Sequence, residues 1–265
     1  MRKRCVAGRR AVTEGPALRT QGLTRHFGGL VAVREVSLEC RTCEVHAVIG
    51  PNGAGKTTLI NMLSGELSPS SGAVILHGRD VTGLAPHRMS RLGVGRCFQR
   101  TNVFLPLSAF ENCRLAAQSR MKSSMRFFRP ALANREVNAA AERALAAVGL
   151  EGRAETAVAA LSHGEQRQVE IAMTLATDPA VLLLDEPLAG MGAEESARIV
   201  RLLKALAADH AILLVEHDMD AVFAVADVLT VMVGGTVLET GTPEVIRSSP
   251  AVQQAYLGSA DLASP

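Results

Sequence analysis

The run GPNGAGKTT (residues 50–58) fits G-x-x-x-x-G-K-[ST], the pattern of a loop that cradles phosphate. Gly50, Gly53 and Gly55, spaced by Pro51, Asn52 and Ala54, let backbone N–H groups curl around phosphate oxygens. The helix start that follows favours negative charge. Lys56 is expected to reach the β- and γ-phosphates, Thr57 to offer its hydroxyl to Mg²⁺, and Thr58 to lie beside the α-phosphate. Downstream, Asp185 and Glu186 close the apolar run AVLLLDEP. A carboxylate at the end of such a strand orients Mg²⁺, directly or through water. The next one, pointing elsewhere, can polarise an attacking water. His217 ends ILLVEH, at the strand edge that faces the ligand crevice of a parallel sheet. Gln99 follows GVGRCF, and a neutral amide there can touch both metal and water and let go without a charge penalty.

A further stretch, LSHGEQR (residues 161–167), reads locally as a helix start. Ser162 caps, and Glu165 three residues on completes a capping box. Val169, Ala172, Met173 and Ala176 follow at helical spacing. Gly164 is a poor choice for a first turn if stability alone matters, since glycine costs about 1 kcal/mol against alanine in a helix interior.

The surrounding elements must position these groups. Residues 18–48 read as short strands with a turn at Gly28-Gly29, and 73–76 adds another, giving a small antiparallel sheet. Residues 45–49 form a parallel-type strand feeding the glycine loop, and a helix runs over 56–64. From 111 to about 161 the pattern is helical, with a bend around Pro130. AVLLLDEP and AILLVEHD are buried parallel strands, a helix covers 194–208, and Asp218 caps the next one. VLTVMVGGTVLETG is a hairpin turning at Gly234-Gly235.

With 265 residues, 48% hydrophobic and 20% charged, the chain suffices for one large domain with an inserted subdomain. A net charge of +2 gives no case for nucleic acid as a partner. Positive charge gathers at Arg2, Lys3, Arg4, Arg9 and Arg10, so residues 1–16 read as a disordered basic tail without the apolar core of a signal peptide. The most apolar stretch, residues 222–233, is too short to span a membrane and contains Asp227. Five cysteines suggest reduced thiols and a cytosolic setting. Cys40 and Cys43 form a lone C-x-x-C without the further ligands that zinc needs.

Phosphate loop, Gln99, LSHGEQR, LLLDEP and VEHD, in that order, resemble the ATP-binding subunit of ABC transporters over residues 18–258. The resemblance implies an α/β P-loop NTPase with a RecA-like core, a small antiparallel β-subdomain and an α-helical subdomain inserted at about 101–163. Residues 17–258 would be the ATPase domain and 259–265 a tail. It implies that the helix start at Ser162, Gly164 and Gln166 is carried across a dimer interface to the γ-phosphate of the opposite subunit's ATP. FGGLVAVREVSL, HRMSRLGVGRCFQRTNVF, DEPLAGMG, LLVEHDMDAV and GTPEVIRSSPAVQQAYLG look like the ATPase subunits of branched-chain amino-acid importers. In that family Phe27 matches the aromatic that stacks on adenine. Gly192 stands where many relatives have aspartate, and Cys43 where a turn glycine is usual.

The implied protein binds ATP and Mg²⁺, with Glu186, His217 and Gln99 catalytic and Thr57, Gln99 and Asp185 at the metal. It works at the cytoplasmic face of the inner membrane with two transmembrane permease subunits, a second ATPase subunit (identical or related) and, indirectly, a substrate-binding protein. Importers of urea or short amides, lipopolysaccharide exporters, soluble ABC ATPases and a catalytically degenerate subunit remain as alternatives.

Overall fold

The computed structural model describes residues 15–99, 101–121 and 134–257. The chain opens with β1 (Leu18–Phe27), β2 (Leu30–Val36), β3 (Glu39–Cys40) and β4 (Glu44–Ile49), followed by α1 (Lys56–Leu63). Then come β5 (Ser71–Leu76), β6 (Arg79–Asp80), α2 (Pro86–Arg91) and β7 (Val94–Cys97). Helices α3 (Ala109–Gln118), α4 (Arg135–Val148) and α5 (His163–Ala176) follow. The chain continues through β8 (Val181–Asp185), α6 (Ala193–Leu206), β9 (Ala211–Val215) and α7 (Met219–Val225). It closes with β10 (Val228–Val233), β11 (Thr236–Gly241), α8 (Pro243–Ser248) and α9 (Pro250–Leu257).

Two sheets result. The antiparallel one runs β2-β1-β5-β6, with β3 also on β1. The larger one runs β11-β10-β4-β9-β8-β7 and is parallel except for the β10–β11 hairpin. Strand β9 therefore separates the glycine-loop strand β4 from the acid-tipped strand β8, and brings its own C-terminal end between theirs.

The apolar runs AVLLL and AILLV are buried on both faces because layers pack on both sides. Alternation sorts their side chains. Val45, Ala47, Ile49, Leu182, Leu184, Ile212 and Leu214 pack with α3 to α7. Their neighbours Val48, Leu183, Leu213 and Val215 pack with α1 and the antiparallel sheet. The period of two along each strand thus divides one sheet between two cores.

Some expectations need correction. The helical pattern over 111–161 does not continue to its end. Gly149, at φ 75°, caps α4 in the left-handed region, and only short 3₁₀ turns at Glu151–Arg153 and Val158–Ala160 follow. The expected strand over VAVREVSLEC breaks after Val36, and its last residues pair separately with β1 as β3. Cys40 is a free, buried thiol and so does not pair with Cys43. Cys43 places its Sγ 3.0 Å from the Ala208 carbonyl oxygen. Its φ of 63° shows that the turn does adopt the glycine-type conformation. The bend expected around Pro130, most of the basic tail and residues 258–265 lie outside the described residues. No helix among the described residues is long and apolar enough to cross a membrane.

Candidate functional site: a phosphate loop and its acids

The loop between β4 and α1 takes backbone angles that glycine permits. Gly53 and Gly55 have φ of 80° and 97°, and Gly55 is the N-cap of α1 with no side-chain hydrogen bond to the helix. The first-turn amides of α1 are therefore left without a side-chain acceptor of their own. A Cβ on Gly55 would lie 2.4 Å from the Ala32 carbonyl oxygen, so β2 presses directly on the loop. Gly55→Ala is expected to destabilise the fold by ~2 kcal/mol or more, from left-handed strain and that clash. For a domain of this size the midpoint should fall by roughly 4–8 °C in a thermal melt. An unchanged midpoint would mean that the loop relaxes freely.

Lys56 is buried, and its Nζ donates to the carbonyls of Gly50 at 2.5 Å and Pro51 at 3.1 Å. Burial pushes its pKa down, while Glu186 and Asp185 hold it up. A cavity of about 350 Å³ opens here, lined by the loop, Lys56, Thr57 and Thr58, by Leu30, Val31 and Ala32, by Glu186, and by the Gly234-Gly235 turn. Phe27 does not line it. The ring is 45% exposed at the neighbouring hairpin end, paired with Leu30, and Arg25 stacks over it at 4.8 Å.

Three of the predicted residues meet. Glu186 Oε2 accepts a hydrogen bond from Gln99 Nε2 at 2.8 Å and lies 3.8 Å from His217 Nδ1. Gln99 follows β7, Glu186 follows β8 and His217 follows β9, so the parallel order of the sheet delivers all of them to one edge. Glu186 sits at φ 47°, a strained angle for a residue with a Cβ. Asp185 is buried, and its Oδ2 lies 3.3 Å from Arg96 Nη2. Burial raises its pKa and the Arg96 guanidinium pulls it down.

The start of α5 forms a separate place. Ser162 Oγ accepts from the Glu165 amide, and Glu165 Oε2 accepts from the Ser162 amide at 2.9 Å, which is the reciprocal box expected. An acid of the same chain also reaches in. Glu195 Oε1, from α6, accepts from Ser162 Oγ at 3.3 Å and from the Gly164 amide at 3.2 Å. Gln166 does not join them. Its Nε2 donates to the carbonyls of Val158 and Leu161, each at 3.2 Å, so its side chain is spent on the preceding turn. Neither Ser162, Gly164 nor Gln166 lines the phosphate-loop cavity.

Sequence reasoning missed four charged residues that structure these loops: Arg96, Arg167, Glu170 and Glu195. The available signal was a charge inside an apolar pattern, as with Arg96 in VGRC, or an i,i+3 pair such as Arg167 and Glu170.

The donor set suits a nucleoside triphosphate with a divalent cation. Helix amides without a side-chain cap and a buried ammonium suit phosphate, while a hydroxyl, a carboxylate and an amide carbonyl are oxygen ligands of the kind magnesium takes. A parallel sheet whose glycine loop and acid-tipped strand flank a third strand makes this a P-loop ATPase. The ABC transporter family profile matches residues 33–189, and that of the branched-chain amino acid ATP-binding cassette transporter matches residues 236–261. The chain belongs to the ABC transporter family and is an ATP-hydrolysing subunit of it.

Among its relatives is the high-affinity branched-chain amino acid transport ATP-binding protein LivG of Salmonella typhimurium, 40% identical over 92% of this chain and 99% of LivG. BraF of Pseudomonas aeruginosa, with the same description, is 39% identical over 92% of this chain and 99% of its own. The lipopolysaccharide export system ATP-binding protein LptB of Acidithiobacillus ferridurans is 34% identical over 91% of this chain and 96% of LptB. A crystal structure of an ABC transporter ATP-binding cassette in its ADP conformation superposes with a TM-score of 0.82, at 28% identity over 91% of this chain and 98% of that one.

Proposed function

We propose that this subunit powers the uptake of branched-chain amino acids. The observation that carries the reading is the combination of 40% identity to LivG along nearly the whole chain with a branched-chain profile match at residues 236–261. Lys56 and the amides of Gly53, Gly55, Thr57 and Thr58 hold the phosphates. Thr57, Asp185 and Gln99 hold Mg²⁺, which neutralises phosphate charge. Glu186 takes the proton of the attacking water, with Gln99 and His217 fixing its carboxylate. Two ATPase subunits close head to tail, so that Ser162 and Gly164 of each reach the γ-phosphate held by the other. Permease subunits hold the pair at the cytoplasmic face of the membrane and a substrate-binding protein delivers the cargo. The same reading divides the chain into a tail (1–16), the ATPase domain (17–258) and a short end (259–265).

Deleting the gene is expected to abolish high-affinity leucine uptake by whole cells. The wild-type chain should restore it and Glu186→Gln should not. A membrane pull-down should bring two multi-span permeases with the chain. Normal leucine uptake in the deletion strain, with lipopolysaccharide retained in the inner membrane, would replace this reading by an exporter one.

A further inference from the structure

We propose that Arg167 is the positioning residue that holds the Gln99 and Glu186 loops together for ATP hydrolysis, an inference resting on the reading of Glu186 as the base. Arg167 lies in the second turn of α5 and is 2% exposed. A guanidinium has five N–H donors in a rigid fork, and here there is an acceptor for each. Nη1 donates to the Phe98 carbonyl at 2.5 Å and to Glu170 Oε2. Nη2 donates to the carbonyls of Asp185 at 3.2 Å and Glu186 at 3.0 Å, and Nε to that of Pro187 at 3.2 Å. Phe98 immediately precedes Gln99, so one side chain grips both backbones whose side chains meet at 2.8 Å.

Glu170 completes the grip. Its Oε1 accepts from the Phe98 amide at 3.1 Å, so both polar groups of that peptide residue are tied to the pair. Burial raises the Glu170 pKa, and the Arg167 charge opposes this. On the far side, Glu216 accepts from the amides of Leu188 at 2.8 Å and His217 at 3.0 Å. Residues 185–188 are thus held by a buried cation on their carbonyls and a buried anion on an amide. A left-handed Glu186 costs about 1–2 kcal/mol and persists only where its surroundings over-determine it. Arg167 supplies that restraint on the strained residue itself. Packing alone gives no reason for every donor to choose a carbonyl or carboxylate tied to these loops.

The test uses Arg167→Lys and Arg167→Met, each in the wild-type and Glu186→Gln chains. A lysine keeps the charge but cannot reproduce the fork. We expect kcat to fall about 10–100-fold in the otherwise wild-type chain, as misplacement of a catalytic group does. KM and ATP affinity should stay within about threefold. In the Glu186→Gln chain the same substitutions should change residual turnover by less than about twofold, because the group they position is already disabled. Equal losses in both chains, or a matching loss of ATP affinity, would make Arg167 a packing residue and overturn the proposal. Unchanged kcat in Arg167→Lys would overturn it too. Full turnover in Glu186→Gln alone would instead remove the base assignment on which it rests. Should neither Arg167 variant fold, Glu170→Gln decides. It keeps the four backbone bonds but loosens Phe98, and kcat should drop severalfold at constant KM; wild-type kcat would sink the idea.

Discussion

Glu186→Gln lowers ATP turnover by about 10²–10⁴-fold and leaves ATP affinity unchanged, the expected result of removing a general base without removing a binding contact. That is about 3–5 kcal/mol of barrier. The substitution is nearly isosteric, and its amide oxygen can still accept from Gln99 Nε2, which now lies 2.8 Å from the carboxylate. What it loses is the capacity to take a proton. Phosphate release at saturating ATP and magnesium measures the first quantity, and calorimetric titration with ATP the second. A variant that keeps more than about a tenth of wild-type turnover would show that another group accepts the proton.

Lys56→Ala has the other large effect, on binding. The Lys56 ammonium is held against the Gly50 and Pro51 carbonyls inside the loop, so it is preplaced where phosphate is expected. A hydrogen bond to a charged group is worth about 1.5–3 kcal/mol. Losing contacts of that kind to two phosphates should weaken ATP binding by about 30-fold or more and leave turnover undetectable at cellular ATP. Burial already disfavours the Lys56 charge, and Glu186 and Asp185 sustain it. Calorimetry with ATP, and loss of the ATP-induced rise in melting temperature, test this. Affinity within about threefold of wild type would mean that Lys56 serves the loop's shape and not the nucleotide.

Local chemistry was legible from residues alone. The glycine loop, the Ser162–Glu165 box and the Asp218 cap each depend on partners within a few positions, and each formed as read. The two buried strands were legible because an unbroken apolar run has few other uses. The meeting of Gln99, Glu186 and His217 was expected from motif order, and strand order realises it. Contacts between elements were not legible. Arg167 reaches back to Phe98 and forward to Pro187, and no spacing rule encodes those partners. The direction of the Gln166 side chain was not legible, because the Val158 and Leu161 carbonyls that its amide reaches lie around a 3₁₀ turn absent from any linear pattern. The helix expected over 149–161 failed for a reason visible only in hindsight, the left-handed Gly149.

Glu195 gives the signature helix a different meaning at rest. The N-terminal dipole of α5 already faces a carboxylate drawn from α6, bonded to the same Ser162 hydroxyl and Gly164 amide that the proposed dimer needs. On the proposed reading, closure would be an exchange of anions, with the phosphate held by the partner displacing an internal tenant. The energy released would then be a difference between two occupants, and the grip of such a closed pair would be tempered accordingly. A Cβ at position 164 would stand 2.7 Å from that carboxylate oxygen, so a side chain there would push the Glu195 carboxylate aside.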